Sequence, residues 1–284
     1  MKAGFWIAPE GAEADMTIVP IGADGDGVPR LRPIGLLATQ DAAHWISRCP
    51  RTAALLPELA DALAAQTAAA PGRLFDIFDF AAEERDLVQQ VLGEGEVSGV
   101  AALPDGVIAQ IQEAVMAGLW RVRFTDAAGA LVADYIEVGA VPQVVREAVS
   151  FTKPDFAIGV PPAQTMNVLP VLAEIRERMA KHRPGDPAHV IAFSLFPMTE
   201  ADMQFLQQTL GEGPAQLLSR GYGTCRILAT GARNVWSVQF TNVMGTVILD
   251  TLEIGDVPLA ACAADEDFHD SAERLREIDE AYFK

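Results

Sequence analysis

Basic residues are scarce in this chain: 21 lysines and arginines stand against 39 aspartates and glutamates, a formal charge of −18 over 284 residues. So acidic a surface repels phosphate backbones and anionic headgroups, which excludes nucleic acid and leaves basic protein segments as the favoured partners. Acidity also serves solubility. Cysteine and histidine are scarcer still. Cys49, Cys225 and Cys262 form no CxxC spacing, and His44, His182, His189 and His269 form no HxxxH or HxxEH pair. No metal site and no cofactor are therefore expected, and an odd cysteine count is no disulfide framework. Long apolar runs are missing as well. No stretch approaches the ~18 residues of a membrane span, and MKAGFWIAPEG lacks a signal peptide's apolar core and cleavage site. A cytoplasmic protein without stable membrane insertion is expected. The chain also has no P-loop, no GxSxG and no GxGxxG after a strand.

What the chain does contain is a long internal repeat. Trp120–Pro142 (WRVRFTDAAGALVADYIEVGAVP) recurs at Trp236–Pro258 (WSVQFTNVMGTVILDTLEIGDVP), 116 positions on, with ten of 23 residues identical. Upstream, QQVLGEG at Gln89–Gly95 answers QQTLGEG at Gln207–Gly213. A period of domain size points to two similar halves and not to a solenoid.

Each half shows the same run of signals. Leu55, Leu56, Leu59 and Leu63 line one face of a helix over 53–66, and Leu172, Ile175 and Met179 do so over 168–181. The apolar runs 74–80 and 189–196 read as buried strands, each followed by a helix that ends at LGEG. Thr199 with Asp202 three residues on is an N-terminal capping signal, and Gly93 and Gly211 suit the position past a helix end. Alternating segments around Gly129 and Gly245 then read as hairpins. The unit is helix, strand, helix and an antiparallel meander of three or so strands: an α+β fold in two copies. The expected spans are a loosely ordered arm over 1–52, a first module over 53–149, a Pro-rich linker over 150–167, a second module over 168–262 and a C-terminal helix over 263–284. In that helix Phe268, Ala272, Leu275, Ile278 and Tyr282 form one stripe.

Residues shared by the copies serve the fold, so a functional site is sought where they diverge. After LGEG only the second copy reads Ser219, Arg220, Gly221, Tyr222, Gly223, Thr224, Cys225, Arg226, with Arg233 nearby. Glycines permit close backbone approach, arginines offer forks for carboxylates, and a neighbouring guanidinium lowers a thiol's pKa. Two readings stay open: a partner-recognition loop, or a loop entering a strand with Cys225 as a small buried residue. Glu94 and Glu212 in the two LGEG motifs are secondary candidates, with a solvated capping-loop acid as the alternative.

The segment LGEGPAQLLSRGYGTCRILATGARNVWSVQFTNVMGTVILDTLEIGDVP resembles the signature C-terminal domain of the HupH/HyaF family of accessory proteins for uptake nickel–iron hydrogenases. LGEGEVSG at Leu92–Gly99 is similar to that family's first-copy motif. The resemblance implies a non-enzymatic, chaperone-like factor that helps mature the iron–sulfur small subunit before export. Its implied partners are the small-subunit precursor and a thioredoxin-like accessory protein. It supplies no catalytic residues. The rival class is a thiol-dependent redox or cluster-handling factor using Cys225.

Overall fold

The computed structural model describes residues 42–284 apart from Phe196 and Tyr222. The expected arm up to residue 41, and Tyr222 of the candidate loop, lie outside the described residues. The elements fall in two similar series along the chain. The first is α1 (Ala42–Arg48), α2 (Pro50–Ala65), β1 (Arg73–Asp76), α3 (Ala82–Leu92), β2 (Val97–Ala102), β3 (Ile108–Glu113), β4 (Leu119–Thr125), β5 (Leu131–Val138) and α4 (Gln143–Ser150). The second is α5 (Val168–Lys181), β6 (His189–Ala192), α6 (Glu200–Leu210), β7 (Glu212–Gly221), β8 (Gly223–Thr230), β9 (Val235–Thr241), β10 (Val247–Ile254) and α7 (Asp265–Tyr282).

The fold is α+β. Each meander has four strands where about three were expected. Residues 42–52, assigned above to the arm, are α1 and the start of α2. The cause is burial: Trp45 and Cys49 join the core with Leu55 and Leu56, and Pro50 stands at the first helical position, where its missing N–H costs nothing.

The chain forms two compact units, neither continuous in sequence. One comprises residues 42–98, 107–143 and 262–284, the other 99–106 and 144–261. These units cut across the spans read from the sequence. Helix α7 is counted with the first series of strands and α4 with the second.

In the first unit, antiparallel strands run in the order β1-β5-β4-β3. Their core includes Leu56, Leu59 and Leu63 of α2, Leu87 and Val88 of α3, and Phe268, Ala272 and Leu275 of α7. Ile278 and Tyr282 pack against it. Ser271 Oγ donates to the Ala117 carbonyl at 2.9 Å, and Ala68 N–H donates to Asp265 Oδ1 at 2.7 Å, which pins α7 in register. A buried Arg121–Asp134 ion pair at 2.8 Å, with Gln89 Oε1 accepting from the same guanidinium, ties β4 and β5 to α3.

In the second unit the antiparallel order is β7-β8-β9-β10-β6. Val171, Leu172 and Ile175 of α5 and Leu206 and Leu210 of α6 share a core with Leu252 and Ile254. Phe156, from the stretch read as a linker, is part of that core. The expected cap of α6 is present. Thr199 Oγ1 accepts from Asp202 N–H at 3.1 Å and Asp202 Oδ2 accepts from Thr199 N–H at 2.8 Å. The other Asp202 oxygen accepts from the N–H groups of Met166, Asn167 and Val168, holding the approach to α5.

Positions that match in sequence take matching places. Trp120 and Trp236 are each the second residue of their strand, opposite Glu137 and Glu253. Gly93 and Gly211 end α3 and α6 with φ of 61° and 70°, where a side chain would be strained. Asp126 Oδ1 accepts from the N–H groups of residues 128 and 130, as Asn242 Oδ1 does from 244 and 246. The two turns are built alike.

One buried acid makes the first unit sensitive to pH. Burial pushes the Glu113 carboxyl up to about 7, with Asp267 and Glu96 adding to the rise and the N–H groups of Gly118 and Val97 opposing it. A carboxyl raised in the folded state favours folding while it is protonated, and that contribution is lost as pH climbs from the ordinary carboxylate range through about 7. Glu113→Gln keeps an acceptor for Gly118 N–H. Melting temperatures from pH 5 to 8 are expected to fall with rising pH in the parent more than in this variant; parallel curves would remove Glu113 as the cause.

Candidate functional site

The divergent segment is a hairpin and not a loop before a strand. Residues 212–221 and 223–230 pair antiparallel as β7 and β8, with Leu218 opposite Arg226, Ser219 opposite Cys225, Arg220 opposite Thr224 and Gly221 opposite Gly223. Glycine is required at 223: φ is 142°, and a Cβ there would stand 2.4 Å from the Thr241 carbonyl oxygen of β9.

Strand alternation divides the candidates. Arg220, Thr224 and Arg226 share one face, and both arginines are exposed. Neither makes an ion pair with a described residue. Cys225 points the other way and is buried. Its thiol is pushed up to about 12, chiefly by burial and then by the carboxylate of Glu253, itself raised by burial. An arginine next in sequence lowers a thiol's pKa only if its charge lies near the sulfur, and here alternation turns Arg226 to the opposite face.

Arg233 leaves the candidate cluster altogether. It lies past β8, where its Nη2 donates to the carbonyls of Ser150 at 2.7 Å and Thr152 at 3.0 Å. Lys153 and Ala232 form a parallel bridge beside it. Arg233 thus fastens the chain after α4 to the β8–β9 turn. Glu94 and Glu212 are both exposed, the first in the loop after α3 and the second as the opening residue of β7 opposite Thr230. Among the described residues no group of three His, Cys, Asp or Glu side chains is placed to hold a metal ion.

The two series diverge at a second place. In the β9–β10 turn Val243 and Met244 stand where the β4–β5 turn has Ala127 and Ala128, and Ile248 stands where it has Val132. Val243 and Met244 are each 85% exposed and Ile248 67%. The signal was in the aligned repeats, but apolar residues in alternating segments read as core.

Two similar series of helix, strand, helix and meander, with Arg220 and Arg226 on the β7–β8 pair of the second, define the class. The conserved region described as "HupH hydrogenase expression protein, C-terminal conserved region" matches residues 51–153 and again 165–282. The chain belongs to the HupH family of hydrogenase expression proteins. It is 63% identical over 284 residues, all of both chains, to the hydrogenase expression/formation protein HupH of Rhizobium leguminosarum bv. viciae. It is 42% identical to the hydrogenase expression/formation protein HoxQ of Cupriavidus necator over 228 residues, 79% of each chain. It is 33% identical to the hydrogenase-1 operon protein HyaF of Escherichia coli over 246 residues, 86% of this chain and 84% of that one.

Two outcomes check the site. Iodoacetamide near pH 8, read by mass spectrometry, is expected to alkylate the partly exposed Cys262 well before Cys225, which reacts only on unfolding; rapid labelling of Cys225 would restore the reactive thiol. Arg220→Ala with Arg226→Ala is expected to shift stability by no more than about 0.5 kcal/mol, as exposed side chains do. Arg233→Ala removes a charged donor from two carbonyls and is expected to cost about 1–3 kcal/mol. Urea denaturation distinguishes them, and equal losses would refute the division.

Proposed function

We propose that this chain is a non-catalytic accessory factor in the maturation of an uptake nickel–iron hydrogenase, acting on the iron–sulfur small subunit before export. The carrying observation is the match along the whole chain to a protein named for hydrogenase expression and formation. The two matches to one conserved region, together with the ten shared residues of the long repeat, support reading the halves as an internal duplication. In that reading one copy keeps the framework and the other carries the recognition features. The hairpin with Arg220 and Arg226 is then the partner-binding element, and Glu94 and Glu212 are secondary acidic contacts.

The redox alternative asks for a reactive thiolate at Cys225, and a buried thiol pushed up to about 12 weighs against it. Among the described residues no helix is long and apolar enough to cross a membrane. The charge of −18 suits attraction to a basic segment such as the export signal of the precursor. A thioredoxin-like accessory protein is a further partner in this reading.

Purified protein is expected to capture the purified small-subunit precursor without turnover. If charge steers the encounter, association slows as salt rises past about 0.15 M, where screening reaches about 8 Å. Equal capture of signal-bearing and signal-less precursor removes the role of the signal and leaves the chaperone reading. Failure to capture either form, under air or low oxygen, sinks the small-subunit assignment.

A further inference from the structure

We infer that the paired ends of β7 and β8 around Arg220 and Arg226, together with the β9–β10 turn, form a docking surface for a protein segment that presents apolar side chains beside carboxylates. The register brings the two to one end of the antiparallel strands: Thr224 at the start of β8 is opposite Thr241 at the end of β9, and Arg226 is opposite Gln239. The ends of β7 and β8 contribute Arg220 and Arg226, the β9–β10 turn Val243 and Met244, with Ile248 just beyond.

The apolar residues are not required by the turn they occupy. Asn242 organises it through its side-chain oxygen, and Gly245 supplies the positive φ of 74°. The first copy builds the same turn from Asp126 and Gly129 with two alanines between them. Exposed valine and methionine there contribute little to folding, and methionine is a side chain that adapts to irregular partner surfaces. Single exposed apolar residues are ordinary. A cluster at one end of a strand set, beside exposed guanidinium groups, is the composition of a recognition surface with an apolar centre and a charged rim.

Charge selects the occupant. Two exposed arginines with no ion pair among the described residues, in a chain of −18, stand at this end, and their planar forks match carboxylates. A second copy of the chain would bring −18 against −18. An anionic membrane would meet the same repulsion from the rest of the molecule. A patch this small fits a transient contact of low area.

The choice of probe rests on the maturation reading above. Full-length protein is tested against purified small-subunit precursor in three forms: the parent, V243A/M244A, which copies the alanines of the first turn, and R220E/R226E. Each variant is expected to melt with the parent and to bind at least tenfold more weakly. Only R220E/R226E is expected to lose part of the salt dependence. Val132→Ala in the β4–β5 strand pair is the control and is expected to bind like the parent. Parental binding by V243A/M244A overturns the surface while leaving the function standing. If the parent itself captures no precursor, the small-subunit reading fails, and hydrogenase activity in cells decides the surface. Lost activity with normal protein level and melting supports it; full activity overturns it. It is also overturned by a concentration-dependent dimer, or by sedimentation with phosphatidylglycerol vesicles, that V243A/M244A abolishes.

Discussion

Burial of Phe268, Ala272 and Leu275 beside the leucines of α2 is the contact on which the first unit depends. Strands β1, β4 and β5 supply Phe75, Leu119, Ile136 and Val138 to that core, where they meet residues of α2 and α3. Helix α7 supplies further cover from the far end of the chain. Phe268 and Leu275 contribute about 1.5–3 kcal/mol each and the methyl of Ala272 about 0.8 kcal/mol, together well above the few tenths from any exposed ion pair on the same helix. The Ser271 and Asp265 hydrogen bonds act afterwards, fixing register more than adding energy. A change that frees α7 uncovers the core of residues 200 positions away.

The second unit meets the same need with local pieces, and this frees its surface. Helices α5 and α6 cover the sheet core, Asp202 organises the approach to α5, and Arg233 binds the segment after α4 through two backbone carbonyls. With structure secured by these buried or half-buried groups, Arg220 and Arg226 have no ion pair to make within the described residues. Their exposure follows from strand alternation, which sends Cys225 inward and its neighbours out.

The same alternation separates the functional readings. A thiol chemistry and an arginine-lined surface were both compatible with SRGYGTCR as a string. As a hairpin, the string cannot place the sulfur and the guanidinium groups on one face. Burial pushes the Cys225 thiol up to about 12, which weighs against the redox reading and leaves Arg220 and Arg226 as the exposed members of the binding set.

Much of the fold was legible because it rests on short-range periodicity. The apolar stripe of α7, the capping pair Thr199 and Asp202, the helix-ending glycines 93 and 211 and the hairpin turns at Gly129 and Gly245 are all set by neighbours within a few residues. Repetition reinforced them, since a residue needed for a turn is needed in both copies. The candidate site was legible only as a divergence between copies; the structure exposes Arg220 and Arg226, buries Cys225 and turns Arg233 to the carbonyls after α4. Four features were decided by tertiary structure alone: which unit α7 and α4 join, the helical state of residues 42–52, the packing of Phe156, and which candidate side chains face water. Each depends on apolar surface from distant parts of the chain meeting at one place, and local pattern carries no record of which surface will be there.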